Sequence, residues 1–173
     1  MPTPVVAPRL RIAGIVAGIL VALVLLLLSH DFGRAVPTNN YRPLLTTDAI
    51  ATGCFPLPGG ARLDLAYQVR RDGDVGERRR LEGQYDLVGR DEAQRRLVGS
   101  FTAVGFRAAG TDGDAVVLTK GSERVTITVT ELPGTSAETL VRGTFVLDLP
   151  VVAVARPDDP LCSDPKSTKR WDQ

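Results

Sequence analysis

The 173-residue sequence predicts an α+β protein: an N-terminal transmembrane helix, then an antiparallel sheet of five to six strands packed on one helix. Three observations carry this reading. The run from Ile12 to Leu28 is apolar and contains no charge. Several later segments alternate apolar and polar residues with a period of two, as half-buried strands do. One segment between them, "RDEAQRRLVGSFTAVGF", repeats its apolar residues at intervals of three and four, as an amphipathic helix does.

The apolar run covers roughly 25 Å as a helix, near the short end of what spans a bilayer. Arg9 and Arg11 precede it, whereas Asp31 and Arg34 after it nearly cancel. The positive-inside bias then makes residues 1–11 a cytoplasmic N-terminus, 12–29 a transmembrane helix, and the rest extracytoplasmic. The rival reading is a cleaved export signal. That would have an apolar core of about 7–15 residues and a small-x-small cleavage site. The run here is longer and ends in "VLLLLSHDFGRAV", with no such site and no lipobox cysteine. The expectation is therefore a signal-anchor and a single-pass protein of the cell membrane. Gly14, Gly18 and Ala22 lie on one stripe, which permits helix association, although small residues are common in membrane helices.

Residues 30–47 read as a linker, with Gly33, Pro37, Asn39, Asn40 and Pro43 and no sustained period. The domain proper is expected over 48–162. Its lead-in is "GCFPLPGG", rich in turn residues. In "ARLDLAYQVRR", Leu63, Leu65, Tyr67 and Val69 share one face, which predicts a strand. "DGDVGE" predicts the turn, and "RRRLEGQYDLVG" the returning strand, with Leu81, Tyr85 and Leu87 in phase. In the helix, Ala93, Leu97, Val98, Phe101 and Val104 form the apolar stripe. Asp91 and Glu92 suit its positive end, and Gly105 stands where a helix-terminating glycine belongs, with Phe106 as its apolar contact. Gly99 weakens the middle by up to about 1 kcal/mol relative to alanine. "AVVLT" and "RVTITVTEL" flank the turn "KGSE", and "TLVRGTFVLDLP" is a further strand, with "VVAVA" continuing it or forming a short one. One sheet face lies under the helix, and the other opens to water. Residues 163–173 are expected to be a flexible tail.

Composition narrows function more by exclusion than by indication. The net charge is +1, and arginine greatly outnumbers lysine, which is confined to Lys120, Lys166 and Lys169. With the abundant Ala, Gly, Val and Asp, this points to a high-GC bacterial source. Cys54 and Cys162, both on the exported side, predict one disulfide closing a loop of about 100 residues, worth up to about 4.7 kcal/mol in the chain-entropy model. Two free thiols are the alternative. A metal site fits less well, because the only histidine is His30 at the membrane edge. No G-x-S-x-G elbow, phosphate-binding glycine loop or aromatic-basic nucleic-acid pattern occurs. The two "DGD" motifs, Asp72–Asp74 and Asp112–Asp114, lack the further oxygens of a calcium loop and read as turns. No catalytic, cofactor-binding or metal-binding residue is assigned. The largest charge feature is Arg70, Arg71, Arg78, Arg79 and Arg80 on the first hairpin, a contact patch for an anionic surface or an acidic partner, or else a solvated hairpin end.

The order strand–Tyr85–helix–Gly105–Phe106–hairpin–strand, over about Leu81 to Val129, resembles a loose group of uncharacterised actinobacterial single-pass membrane proteins with a small exported α+β domain. The resemblance implies architecture and source, and no catalytic residue. Pilin-like proteins also place an apolar helix before a sheet, but this chain has no prepilin cleavage motif and no Glu near the start of its run. The expected role is a non-enzymatic accessory or protein-interaction domain of the bacterial cell envelope. Its expected partners are the membrane and another envelope protein or a second copy, and not nucleic acid. The alternatives are a small-molecule or lipid binder using the uncovered sheet face, and a hydrolase of unfamiliar type.

Overall fold

A computed structural model describes residues 8–29, 48–164 and 170. The chain divides into two compact units, Met1–Thr38 and Asn39–Gln173. In the first, helix α1 runs Pro8–Ser29, with side chains described from Gly14 to Leu27. Its large apolar side chains between Ile15 and Leu27 are exposed. Among the described residues no helix is long and apolar enough to cross a membrane. The linker expected over 30–47 lies outside the described residues, as do residues 1–7 of the expected cytoplasmic N-terminus.

The second unit is the α+β domain. Its strands are β1 (Tyr67–Val75), β2 (Arg78–Asp86), β3 (Arg107–Asp112), β4 (Ala115–Lys120), β5 (Glu123–Glu131) and β6 (Val141–Pro150). Helix α2 (Arg90–Thr102) joins β2 to β3, and a four-residue helix α3 (Pro160–Ser163) follows the sheet. The sheet is antiparallel throughout, in the order β1-β2-β6-β5-β4-β3. β6 thus lies between the β1–β2 hairpin and the β3–β4–β5 meander and bonds to both.

Alternation decides which face is buried. On β5, Val125, Ile127 and Val129 are buried, with Thr126, Thr128 and Thr130 opposite. Leu147 and Phe145 of β6 stand directly across from Ile127 and Val129, and Leu81 of β2 across from Leu147. Helix α2 covers this face with Ala93, Leu97 and Phe101. Its end is built as the sequence predicts. Gly105 takes φ +95, a left-handed value that disfavours any side chain. Gly105 N–H donates to Thr102 O, and Phe106 N–H donates back to Phe101 O. The Phe101 and Phe106 rings then meet edge to face at 5.7 Å.

Four sequence expectations need correction. Regular pairing starts at Tyr67; the stretch carrying Leu63 and Leu65 packs on the core without joining the ladder. The strand does not turn at Asp72. It continues to Val75, and the two-residue turn is Gly76–Glu77, with Gly76 at φ +61. β3 has no counterpart in the sequence reading. Its six residues are all exposed at the sheet edge, so burial imposes no alternation on them. Beyond Pro150, "VVAVA" forms no strand, and Val151 is exposed.

Gly83 in the middle of β2 lies beneath the Phe145 ring of the neighbouring strand, and a Cβ there would collide with that ring. Gly83→Ala is expected to lower unfolding free energy by about 1–3 kcal/mol through overpacking. Urea denaturation of the variant tests this, and an unchanged midpoint would show that Phe145 has room to move.

Candidate functional site

The five hairpin arginines do not form one patch. Opposed residues share a face, and Arg79 stands opposite Leu149, in phase with Leu81 on the core side. It is fully buried. Its Nε donates to Asp72 Oδ1 at 2.8 Å and its Nη2 to Asp72 Oδ2 at 2.6 Å, a two-bond fork, while Nη1 donates to Pro56 O at 3.0 Å. Asp72 reaches the core side because of a bulge. The register shifts between Val69 and Arg71, so Arg70 is the extra residue. Strict alternation from Val69 would send Arg71 and Gly73 inward; the bulge sends Asp72 and Asp74 inward instead.

The remaining arginines are at the surface and mostly engaged. Arg70 forks onto Gln84 Oε1. Arg78 Nε pairs with Asp148 Oδ1 at 2.6 Å and its Nη2 donates to Arg124 O and Asp148 O. Arg80 pairs with Glu82 at 2.8 Å. Arg71 is exposed. Such surface pairs are worth little in stability, but they leave less free positive charge than the sequence suggests.

Cys54 and Cys162 are joined, with Cα atoms 5.2 Å apart. The bridge fastens the lead-in to the segment after β6. Ala155 N–H donates to Cys54 O, and Arg156 Nη2 donates to Thr52 O. The tail beyond it was expected to be flexible, but Arg170 departs from that expectation: it is buried, and it pairs with both inward carboxylates of β1. The first "DGD" motif is therefore filled by guanidinium groups rather than standing as a turn. In helix α1, a Cβ added at Gly14 or Gly18 would meet nothing within 4 Å, and Ala22 is exposed, so the stripe is open along the helix.

An open cleft of about 650 Å³ lies between the outer side of α2 and the 60–64 segment. Glu92 and the guanidiniums of Arg95 and Arg96 line one side of it. Hydrogen bonds from Arg96, then Arg95, hold the Glu92 carboxyl below the usual range, and Glu92 in turn raises Arg96. The Ser100 hydroxyl accepts from Asp64 N–H and donates to Arg96 O, so it is committed to structure. A second cleft, of about 420 Å³, is lined by Tyr67, Arg62 and the turn at residues 50–53. Among the described residues no group of three His, Cys, Asp or Glu is placed to hold a metal ion.

The sequence matches no family model, and comparison with curated proteins and with solved structures finds no match.

Two measurements follow from this geometry. Arg79→Ala leaves Asp72 buried with less compensation and is expected to cost about 3–5 kcal/mol. Arg80→Ala is expected to change stability by less than about 0.5 kcal/mol. Equal losses in chemical denaturation would contradict the assignment of Arg79 to the interior. Burial, with the Asp48 carboxylate adding to it, pushes the Tyr67 phenol up to about 12 from 10.0. A raised folded-state value means that this contribution to stability is whole below pH 10 and is lost between pH 10 and about 12. Absorbance titration at alkaline pH should show a late-ionising phenol that disappears in Tyr67→Phe.

Proposed function

We propose that the chain is a membrane-anchored, extracytoplasmic accessory or protein-interaction domain of the bacterial cell envelope, without enzymatic activity. What supports the reading is the charge-free run Ile12 to Leu28 of the sequence, of which the described apolar side chains from Ile15 to Leu27 are exposed and by themselves too short to span a bilayer, ahead of a domain closed by a Cys54–Cys162 disulfide. A surface helix of a soluble domain has a polar face, and the described side chains of α1, from Gly14 to Leu27, include none that is polar. Disulfides persist on the exported side of the membrane. The full charge-free run, Ile12 to Leu28, with Arg9 and Arg11 before it, supports an N-terminus in the cytoplasm.

An interaction role draws support from the kind of surface present. The cleft beside α2 is open, Glu92 in it is paired with Arg95 and Arg96, and Ser100 is bonded to backbone. Arg71 is an exposed cation on the β1–β2 hairpin, and Arg70, Arg78 and Arg80 are surface residues engaged by Gln84, Asp148 and Glu82.

The test uses the full-length chain in its bacterial cells. It is expected in the membrane fraction after alkaline carbonate washing, with its original N-terminus, and with its domain digested by protease added outside spheroplasts. A mature N-terminus between Ser29 and Val36 would overturn the anchor. Brief crosslinking before capture in mild detergent is expected to recover one envelope protein in constant proportion. Recovery of neither an envelope protein nor a crosslinked second copy would overturn the interaction role.

A further inference from the structure

The sequence reading leaves the C-terminal segment without a task, and the structure puts one of its residues in a built pocket. Arg170 has a side chain only 9% exposed. Its Nη1 donates to Asp72 Oδ1 at 3.1 Å, and its Nη2 pairs with Asp74 Oδ1 at 2.6 Å. Its Cζ sits 4.1 Å from the centre of the Phe55 ring, in cation–π contact. The backbone at Arg170 bridges in parallel to Asp72, on the outer edge of the edge strand β1.

We infer that Phe55, Asp72 and Asp74 form an arginine-recognition site for an extended peptide, and that Arg170 is its resident and exchangeable ligand. The walls do not depend on the tail. Asp72 is held by the Arg79 fork, Arg79 by Pro56 O, and Phe55 by the neighbouring disulfide at Cys54. An emptied site therefore keeps its shape. It also keeps one net negative charge, since Asp72 and Asp74 then face only Arg79. The carboxylate left without a partner is Asp74, half-buried beside the enclosed Asp72–Arg79 pair, so the empty site favours a cation. Guanidinium fits better than ammonium: a planar fork reaches two carboxylates at once and lies flat on an aromatic ring. The free edge of β1 supplies backbone pairing for an added strand. The ligand class is an extended peptide bearing arginine, and the occupant is this chain's own Arg170, the residue seen in the site.

The test is complementation in trans. The full-length chain is ended after Asp164, which retains both cysteines, and titrated in detergent into a synthetic peptide spanning Ser167 to Gln173. Trp171, the protein's sole tryptophan, reports binding from the peptide. A saturable emission change is expected with the shortened chain and not with the intact one. Arg170→Lys in the peptide, or Asp74→Asn in the shortened chain, should weaken binding at least about tenfold. Equal binding of an Arg170→Ala peptide, or no saturable change, overturns the inference. Should the shortened chain fail to fold, trypsin cleavage after Lys169 and Arg170 is compared in intact wild-type and Asp74→Asn chains. Cleavage about tenfold faster in the variant supports a held tail in exchange with a free one. Equal rates overturn it.

Discussion

The fork between Arg79 and Asp72 is the constraint to which the β1–β2 end of the domain conforms. Two opposite charges are wholly enclosed on the apolar side of a sheet, and they tolerate burial only together. Their meeting requires the bulge at Arg70, because without it Asp72 would face water while Arg79 faced the core. A one-residue slip between β1 and β2 would strand one of the two charges in apolar surroundings. The pair thus selects a register that leucine and valine, which pack tolerantly, would leave less defined. Pro56 O, taking the last bond of the guanidinium, fixes the lead-in over the same spot, and Cys54 lies two residues before it.

Legibility followed burial closely. The helix, its glycine-ended terminus and the β5 strand were readable because one face of each touches the core and imposes a period. The disulfide was readable from cysteine number and placement. β3 was not, since Ala108, Ala109 and Gly110 meet water on both sides and carry no pattern. The turn was misplaced because Asp-Gly usually marks one, and the cue that Asp72 is needed inside lies in another strand. Arg79 was misread although its cue was present: it is two residues before Leu81 and four before Gly83, in the phase that includes Tyr85. Continuing that phase backward puts it inside. Arginine is seldom enclosed, so at this position residue type and phase point in opposite directions. Nothing in "DPKSTKRWDQ" signals that its Arg170 is buried, because the carboxylates that bury it are about a hundred residues away.

These features shift where function is to be sought. The arginine cluster that dominates the sequence is divided by the structure into one interior member and several surface members, most of them with acceptors nearby. The uncovered sheet face bears threonines, glutamine and paired charges, a surface suited to reversible polar contact. The unusual chemistry lies at the β1 edge, where a strand margin, an aromatic ring and two carboxylates converge on a guanidinium.

The position of β6 has a consequence for assembly. It is the last strand to be made and a central one in the sheet. Until residues 141–150 have left the ribosome, β2 and β5 each present a full row of unanswered backbone groups, and the two halves of the sheet have no bond between them. A chain made from its N-terminus must therefore have released β6 before its sheet can close. During that interval it carries two sticky strand margins, and it gains its covalent fastening only when Cys162 follows twelve residues after Pro150. Any nascent-chain quality control acting on this protein has to guard the interior of the eventual sheet, rather than its finished rim.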